Sequence, residues 1–323
     1  MAEAGDIERA VHVLRAGGLV AIPTETVYGL GADAENSTAV VRIFAVKGRP
    51  SNHPLIVHIG SASQLDDWAA EVPEPARRLA ARFWPGPMTL VVRRSPRVPL
   101  VVTGGLESVA LRVPAHPLAL SLLSAFGGGV AAPSANRFGA VSPTNARHVR
   151  EALGDAVDFV LDGGACAVGV ESTIVDVTGD APAILRPGGV SREDLERVIE
   201  RRLPVNLEAS VRAPGQHPSH YAPRAKVFLV EPDSILAEGE RLQRLGRRVG
   251  LLLPAAFAPP HASDADQVVI VAPDSMAEYA RRLYEFLREL DHRGCDVVVA
   301  SLPAEDGLGL AIADRLRRAA GPR

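Results

Sequence analysis

Lys47 and Arg49 stand two residues apart in VKGRPSNHPLIVHI (46–59), separated by a glycine that lets the backbone come close to a ligand. Of the thirty-five basic residues in the chain, only Lys47 and Lys226 are lysine. Two cations on one short segment suit a polyphosphate: arginine offers a planar bidentate fork and lysine a compact point charge. A solvated pair of loop charges is the alternative. The scarcity of lysine weighs against that alternative, because a solvated charge would have drifted to arginine with the others.

Further along, AAPSANRFGAVSPTNARHV (131–149) gathers Ser134, Asn136, Ser142 and Thr144 around a turn stiffened by Pro133 and Pro143. Short polar groups of this kind bind ligands or cap their own turns. VESTIVD (170–176) sets Ser172 and Thr173 in an apolar strand, where buried hydroxyls need partners. Arg112 in VALRVP and Arg186 in ILRPGG are arginines inside apolar strands. Each must pair with a carboxylate of the protein or with an anion of a ligand. Thr24, Thr26 and Tyr28 lie between a strand end and a glycine turn, a common ligand position in α/β proteins. His58, in PLIVHI, reads either as a satisfied core histidine or as a functional one. The inventory is one of neutral donors and cations, without an evident nucleophile, metal triad or acid–base pair. It fits chemistry done by positioning and by neutralising charge at a phosphoryl centre.

The elements that must hold these groups alternate between helix and strand. Asp6 is placed to cap a helix carrying Ile7, Ala10, Val11 and Leu14 on one face, ended by Gly17-Gly18. LVAIP (19–23), PLIVHI (54–59), MTLVVRR (88–94) and VALRVP (109–114) read as buried strands, and Ser37 as the cap of a helix reaching Val46. This alternation predicts an α/β fold with a mixed sheet. A Pro-rich stretch without periodicity interrupts the pattern after residue 203. Beyond it KVFLVEP, VGLLLP, QVVIVAP and CDVVVASLP, with helices such as SMAEYARRLYEFLREL (275–290), predict a smaller Rossmann-like α/β unit. GLG near its end lacks the spacing of a dinucleotide fingerprint. The expected domains are 1–203, a linker at 204–224, and 225–323. A length of 323 residues agrees with two domains.

Composition narrows the function classes. A net charge of -3 argues against coating nucleic acid by bulk charge, while leaving room for a local basic pocket. No apolar run approaches the ~20 residues of a membrane span, and the start lacks the basic and apolar regions of a signal peptide. A cytoplasmic protein is expected. Cys166 and Cys295 carry no pairing or zinc-binding pattern and are expected to be small buried residues.

Taken in order, PTETVYGLG, KGRP with PLIVH, FWPGPMTLV, LRVP, PSAN with SPT, and GVESTIVD with LRPG resemble the YrdC-like L-threonylcarbamoyladenylate synthases. The resemblance runs from about residue 7 to 200, and PGQHPSHYAP with the GLGLAIADRLRRAA terminus resembles the long, two-domain form. It implies a twisted α/β sheet with a concave basic face. It also implies synthesis of threonylcarbamoyl-AMP and pyrophosphate from L-threonine, bicarbonate or CO2, and ATP, with Mg2+ held mainly by the phosphates. The product would pass to a transferase complex that modifies tRNA next to the anticodon. By correspondence, Lys47, Arg49, Ser134 and Asn136 fill the K-x-R and S-x-N signature. Thr26, His58, Arg112 and Ser172 would surround threonine, and Arg49, Ser108, Ser134, Ser142 and Arg186 the nucleotide. Tyr221 would close over the site. Where the family usually shows asparagine before PL, this chain has His53, a side chain still able to donate a hydrogen bond to nucleotide.

Two rival readings remain. A carbamoyl-adenylate-forming protein of hydrogenase maturation shares the fold but carries acylphosphatase and zinc-finger modules upstream. A non-catalytic RNA-binding protein would use the basic face alone and predicts a salt-sensitive surface.

Overall fold

The computed structural model describes residues 5–206, 220–257 and 267–322. The chain divides into two compact units: Met1–Phe138 with Ser142–Gln216, and His217–Arg323 with the short piece Gly139–Val141.

The first unit is built on a ten-stranded mixed sheet. Across it run Ala183–Arg186, Thr173–Asp176, Met88–Arg94, Ser108–Arg112, Ile56–His58, Val130–Ala131, Gly29–Asp33, Val20–Ile22 and Phe159–Val160, with Ala69–Glu71 pairing on Met88–Arg94. Strand alternation sorts the core into two layers. Val20, Ile22 and Val130 join the helices Asp6–Arg15 and Pro117–Phe126 on one side. Leu19, Ala21 and Ala131 join the core that buries Ile43, Leu79, Val149 and Leu195 of four further helices.

Local differences from the sequence reading have simple causes. Asp6 lies within the first turn of its helix and does not cap it, because the cap position falls on Gly5. Asn36, not Ser37, caps the next helix by accepting from the Ala39 N–H. That helix runs through Lys47 and ends on Gly48 in the left-handed conformation, so Lys47 closes a helix and does not sit in a loop. The strands at 19–23, 54–59 and 109–114 shorten or shift to Val20–Ile22, Ile56–His58 and Ser108–Arg112.

The second unit carries a four-stranded parallel sheet in the order Lys226–Leu229, Val297–Ala300, Val249–Pro254, Gln267–Ala272. All four apolar runs are strands of it. Helix Met276–His292, capped by Ser275, buries Tyr279, Leu283, Phe286, Leu287 and Leu290 at helical spacing. Both cysteines are free and buried. Among the described residues no helix is long and apolar enough to cross a membrane.

Candidate active site

Three buried polar clusters form where strand ends and loops of the first unit meet. The first surrounds Arg112, at the end of its strand and in register with His58. Its guanidinium lies 2.7 Å from the Glu25 carboxylate, donates to the Thr26 hydroxyl at 2.9 Å, and donates through Nε to the Gly86 carbonyl. The other Glu25 oxygen accepts the Ala115 N–H at 3.1 Å. A charge taken out of water needs such company. The Thr24 and Thr26 hydroxyls lie 2.8 Å apart, and Thr24 also donates to the Val27 carbonyl. Burial, with Arg112 beside it, lowers the pKa of His58 to about 3, so the ring is neutral. A cavity of about 10 Å3 lies against His58, Ile22, Thr24, Gly29 and Ala132. That is the scale of one water or one methyl group.

The second cluster joins the K-x-R and S-x-N segments. Lys47 is buried, and its Nζ donates to the carbonyls of Ser134 and Asn136, both at 2.6 Å. In return the helix end accepts from the loop: Phe138 N–H to the Lys47 carbonyl and Arg137 to that of Val46. Burial and the neighbouring Arg49 push the Lys47 ammonium well below the ordinary lysine range. Arg49 donates to the Pro54 carbonyl at 3.0 Å and stacks over Phe138, against whose ring His53 packs edge-on. Ser134 pairs with Gly29, tying this loop to the one that carries Thr24 and Thr26.

The third cluster centres on Ser172. Its hydroxyl lies 2.8 Å from that of Thr89, and its carbonyl and hydroxyl accept from the Arg186 guanidinium. Ser142 donates to Glu171 at 2.7 Å. Gly188 keeps these segments together, since a Cβ there would lie 2.2 Å from the Glu171 carbonyl oxygen.

Ser108 and Tyr221 belong to none of the contacts given for these three clusters, and each has surroundings of its own. Ser108 is half-buried at the start of its strand, four residues from Arg112 or about 13 Å along it. Tyr221 belongs to the second unit, buried between Arg315, 4.9 Å from its ring, and Tyr284. Within the linker, residues 207–219, including His217, lie outside the described residues. Sequence reasoning missed Glu25, Glu171 and Thr89. The signal available for Glu25 was an acid between two threonines in a chain that also buries an arginine. Among the described residues no group of three or more His, Cys, Asp or Glu is placed to hold a metal ion.

The first unit is thus an α/β scaffold that holds buried cations beside neutral donors at its strand ends and loops. Residues 12–188 match the family profile described as "Telomere recombination", and 190–321 the profile "Threonylcarbamoyl-AMP synthase, C-terminal domain". The threonylcarbamoyl-AMP synthase of Pyrococcus abyssi is 46% identical over 98% of this chain and 94% of its own. That of Bacillus subtilis is 42% identical over 98% and 93%. The crystal structure of P. abyssi Sua5 complexed with L-threonine superposes with a TM-score of 0.92, at 44% identity, over 99% of this chain and 95% of that one. The chain belongs to the threonylcarbamoyl-AMP synthase family, in its two-domain form.

Proposed function

We propose that the chain makes threonylcarbamoyl-AMP and pyrophosphate from L-threonine, bicarbonate or CO2, and ATP, and that the product feeds threonylcarbamoyladenosine modification of tRNA in the cytoplasm through a separate transferase complex. The supporting observation is the joining of the K-x-R and S-x-N segments by Lys47 in a chain of this family. The neutral threonine amine adds to CO2 and gives up a proton to solvent, and the resulting carbamate carboxylate attacks the α-phosphorus. The α–β anhydride bond breaks and pyrophosphate leaves. Arg49 offsets the charge that develops on the phosphates, and those phosphates supply the negative charge that keeps the buried Lys47 an ammonium, with its third hydrogen toward them.

Arg112, braced by Glu25, holds the threonine carboxylate, with Thr26, His58 and Ser172 around the rest of the amino acid. The small cavity beside His58 takes the methyl group. His53, Ser108, Ser134, Asn136, Ser142, Arg186 and Tyr221 are assigned to the nucleotide. Residues 1–203 form the catalytic domain, 204–224 the linker and 225–323 the C-terminal domain. The carboxylates at the site, Glu25 and Glu171, are engaged with Arg112 and Ser142, so among the described residues these two are committed to protein partners. An ion here arrives on the nucleotide, and no step is assigned to it.

Pyrophosphate release by the purified protein tests the reading. Release that requires threonine, bicarbonate and ATP together, with a threonine-containing adenylate as co-product, is the expected result. Release indifferent to threonine, or none, refutes it.

A further inference from the structure

The second unit has a cavity of its own, about 320 Å3. It lies where the parallel strands end: Leu252 and Pro254 close one strand, Ala272 closes its neighbour, and Ser301 follows a third. In open parallel sheets ligands bind at that edge, because the strands stop together and their loops diverge. The volume is at the lower end for small-molecule sites.

The chemistry of the wall selects the ligand. Phe257, Met276 and Tyr279 give it an apolar, partly aromatic surface, and no lysine, arginine or histidine is among the described residues lining it. Asp274 and Asp306 stand exposed at its rim, and neither carboxylate bonds to another described residue. Asp274 lies two residues before helix Met276–His292, and Asp306 three before helix Gly309–Ala319. Helix N-termini attract anions, and here the chain's own carboxylates already stand near both. Among the described residues, a phosphate would meet two like charges and no cation. That lining disfavours the nucleotide usual for a Rossmann-like sheet. An ammonium group on an apolar body fits instead: the carboxylates accept its hydrogens, and the aromatic faces attract its charge.

We propose that this cavity binds a small organic cation, an amine carried on an apolar or aromatic body. The proposal does not depend on the synthase reading, since its readout is binding.

Calorimetry on the full-length protein, with tyramine as the probe, tests it. Saturable one-to-one binding is expected, unchanged by ATP and threonine. The carboxylate analogue 3-(4-hydroxyphenyl)propionate should not bind. The double variant Asp274→Asn/Asp306→Asn should weaken tyramine by roughly 2- to 30-fold, the effect of losing two exposed charge pairs. Met276→Trp, which fills the cavity, should abolish binding while threonine-dependent pyrophosphate release persists. Absence of saturable tyramine binding, equal binding of the carboxylate analogue or of AMP, or full affinity in the double variant would each overturn the proposal.

Discussion

The Glu25 carboxylate and the Arg112 guanidinium form a buried ion pair at 2.7 Å, joining the loop after one strand to the end of another. The arginine assigned to threonine's carboxylate is held in place by the protein itself. Removing one partner of such a pair costs about 3–5 kcal/mol, because the other charge is left buried and alone. Glu25→Gln keeps the shape and removes the charge. We expect lower stability to urea and a threonine KM raised at least ~10-fold, with the KM for ATP little changed. An unchanged threonine KM would detach Glu25 from substrate binding.

At Lys47 the substitution to arginine is the informative one. The ammonium fits between two carbonyls at 2.6 Å, and a planar guanidinium is too large for that cradle. Lys47→Arg should therefore damage adenylate formation, and Lys47→Ala or Arg49→Ala should lower it at least ~100-fold. Full activity in Lys47→Arg would refute the assignment of a point charge here.

Serine differs from threonine by the methyl assigned to the cavity beside His58 and Ala132. Loss of one such group is worth roughly 1–3 kcal/mol in a shaped pocket. In a competition assay serine should be a poor substrate and still a measurable one. Gly29→Ala, whose Cβ would stand 3.0 Å from that of Ala132, should lower the use of threonine. Equal use of both amino acids would move the pocket elsewhere.

His58 gives a pH dependence with a defined sign. Its pKa is about 3 in the folded protein and about 6.5 when unfolded, so between those values the unfolded state binds more protons. Stability then rises with pH across the window and is lost as pH falls from 6.5 toward 3, by roughly 1 kcal/mol per unit. Urea unfolding of His58→Gln at pH 7 and pH 5 should show a shallower loss than the parent. Parallel profiles would mean that another group carries the effect.

Tyr221→Ala removes a ring packed between Arg315 and Tyr284. ATP binding should survive in this variant while most net synthesis is lost. Synthesis at the parent rate would remove Tyr221 from the nucleotide site.

Much of this was legible in the residues, and the illegible part has a physical cause. The demand that Arg112 be paired follows from burial alone, but its partner does not. Glu25 reaches it only through strand order and register, which periodicity does not encode. The four strands of the second unit were readable because parallel buried strands are continuous apolar runs. Lys47 was read as a loop residue because its helix stops within one residue of it, and Gly48 signals both a turn and a helix end. That Lys47 would face the S-x-N loop depends on two segments far apart in the chain coming side by side.

The same clasp makes the protein its own chemical reporter. Lys226 is exposed and Lys47 is enclosed between two carbonyls. Among side chains, an amine-reactive reagent should mark the first and spare the second for as long as helix and loop stay joined. Acylation at Lys47, read by mass spectrometry, would count the openings of the site, and the dose that first yields it would measure how rarely they occur.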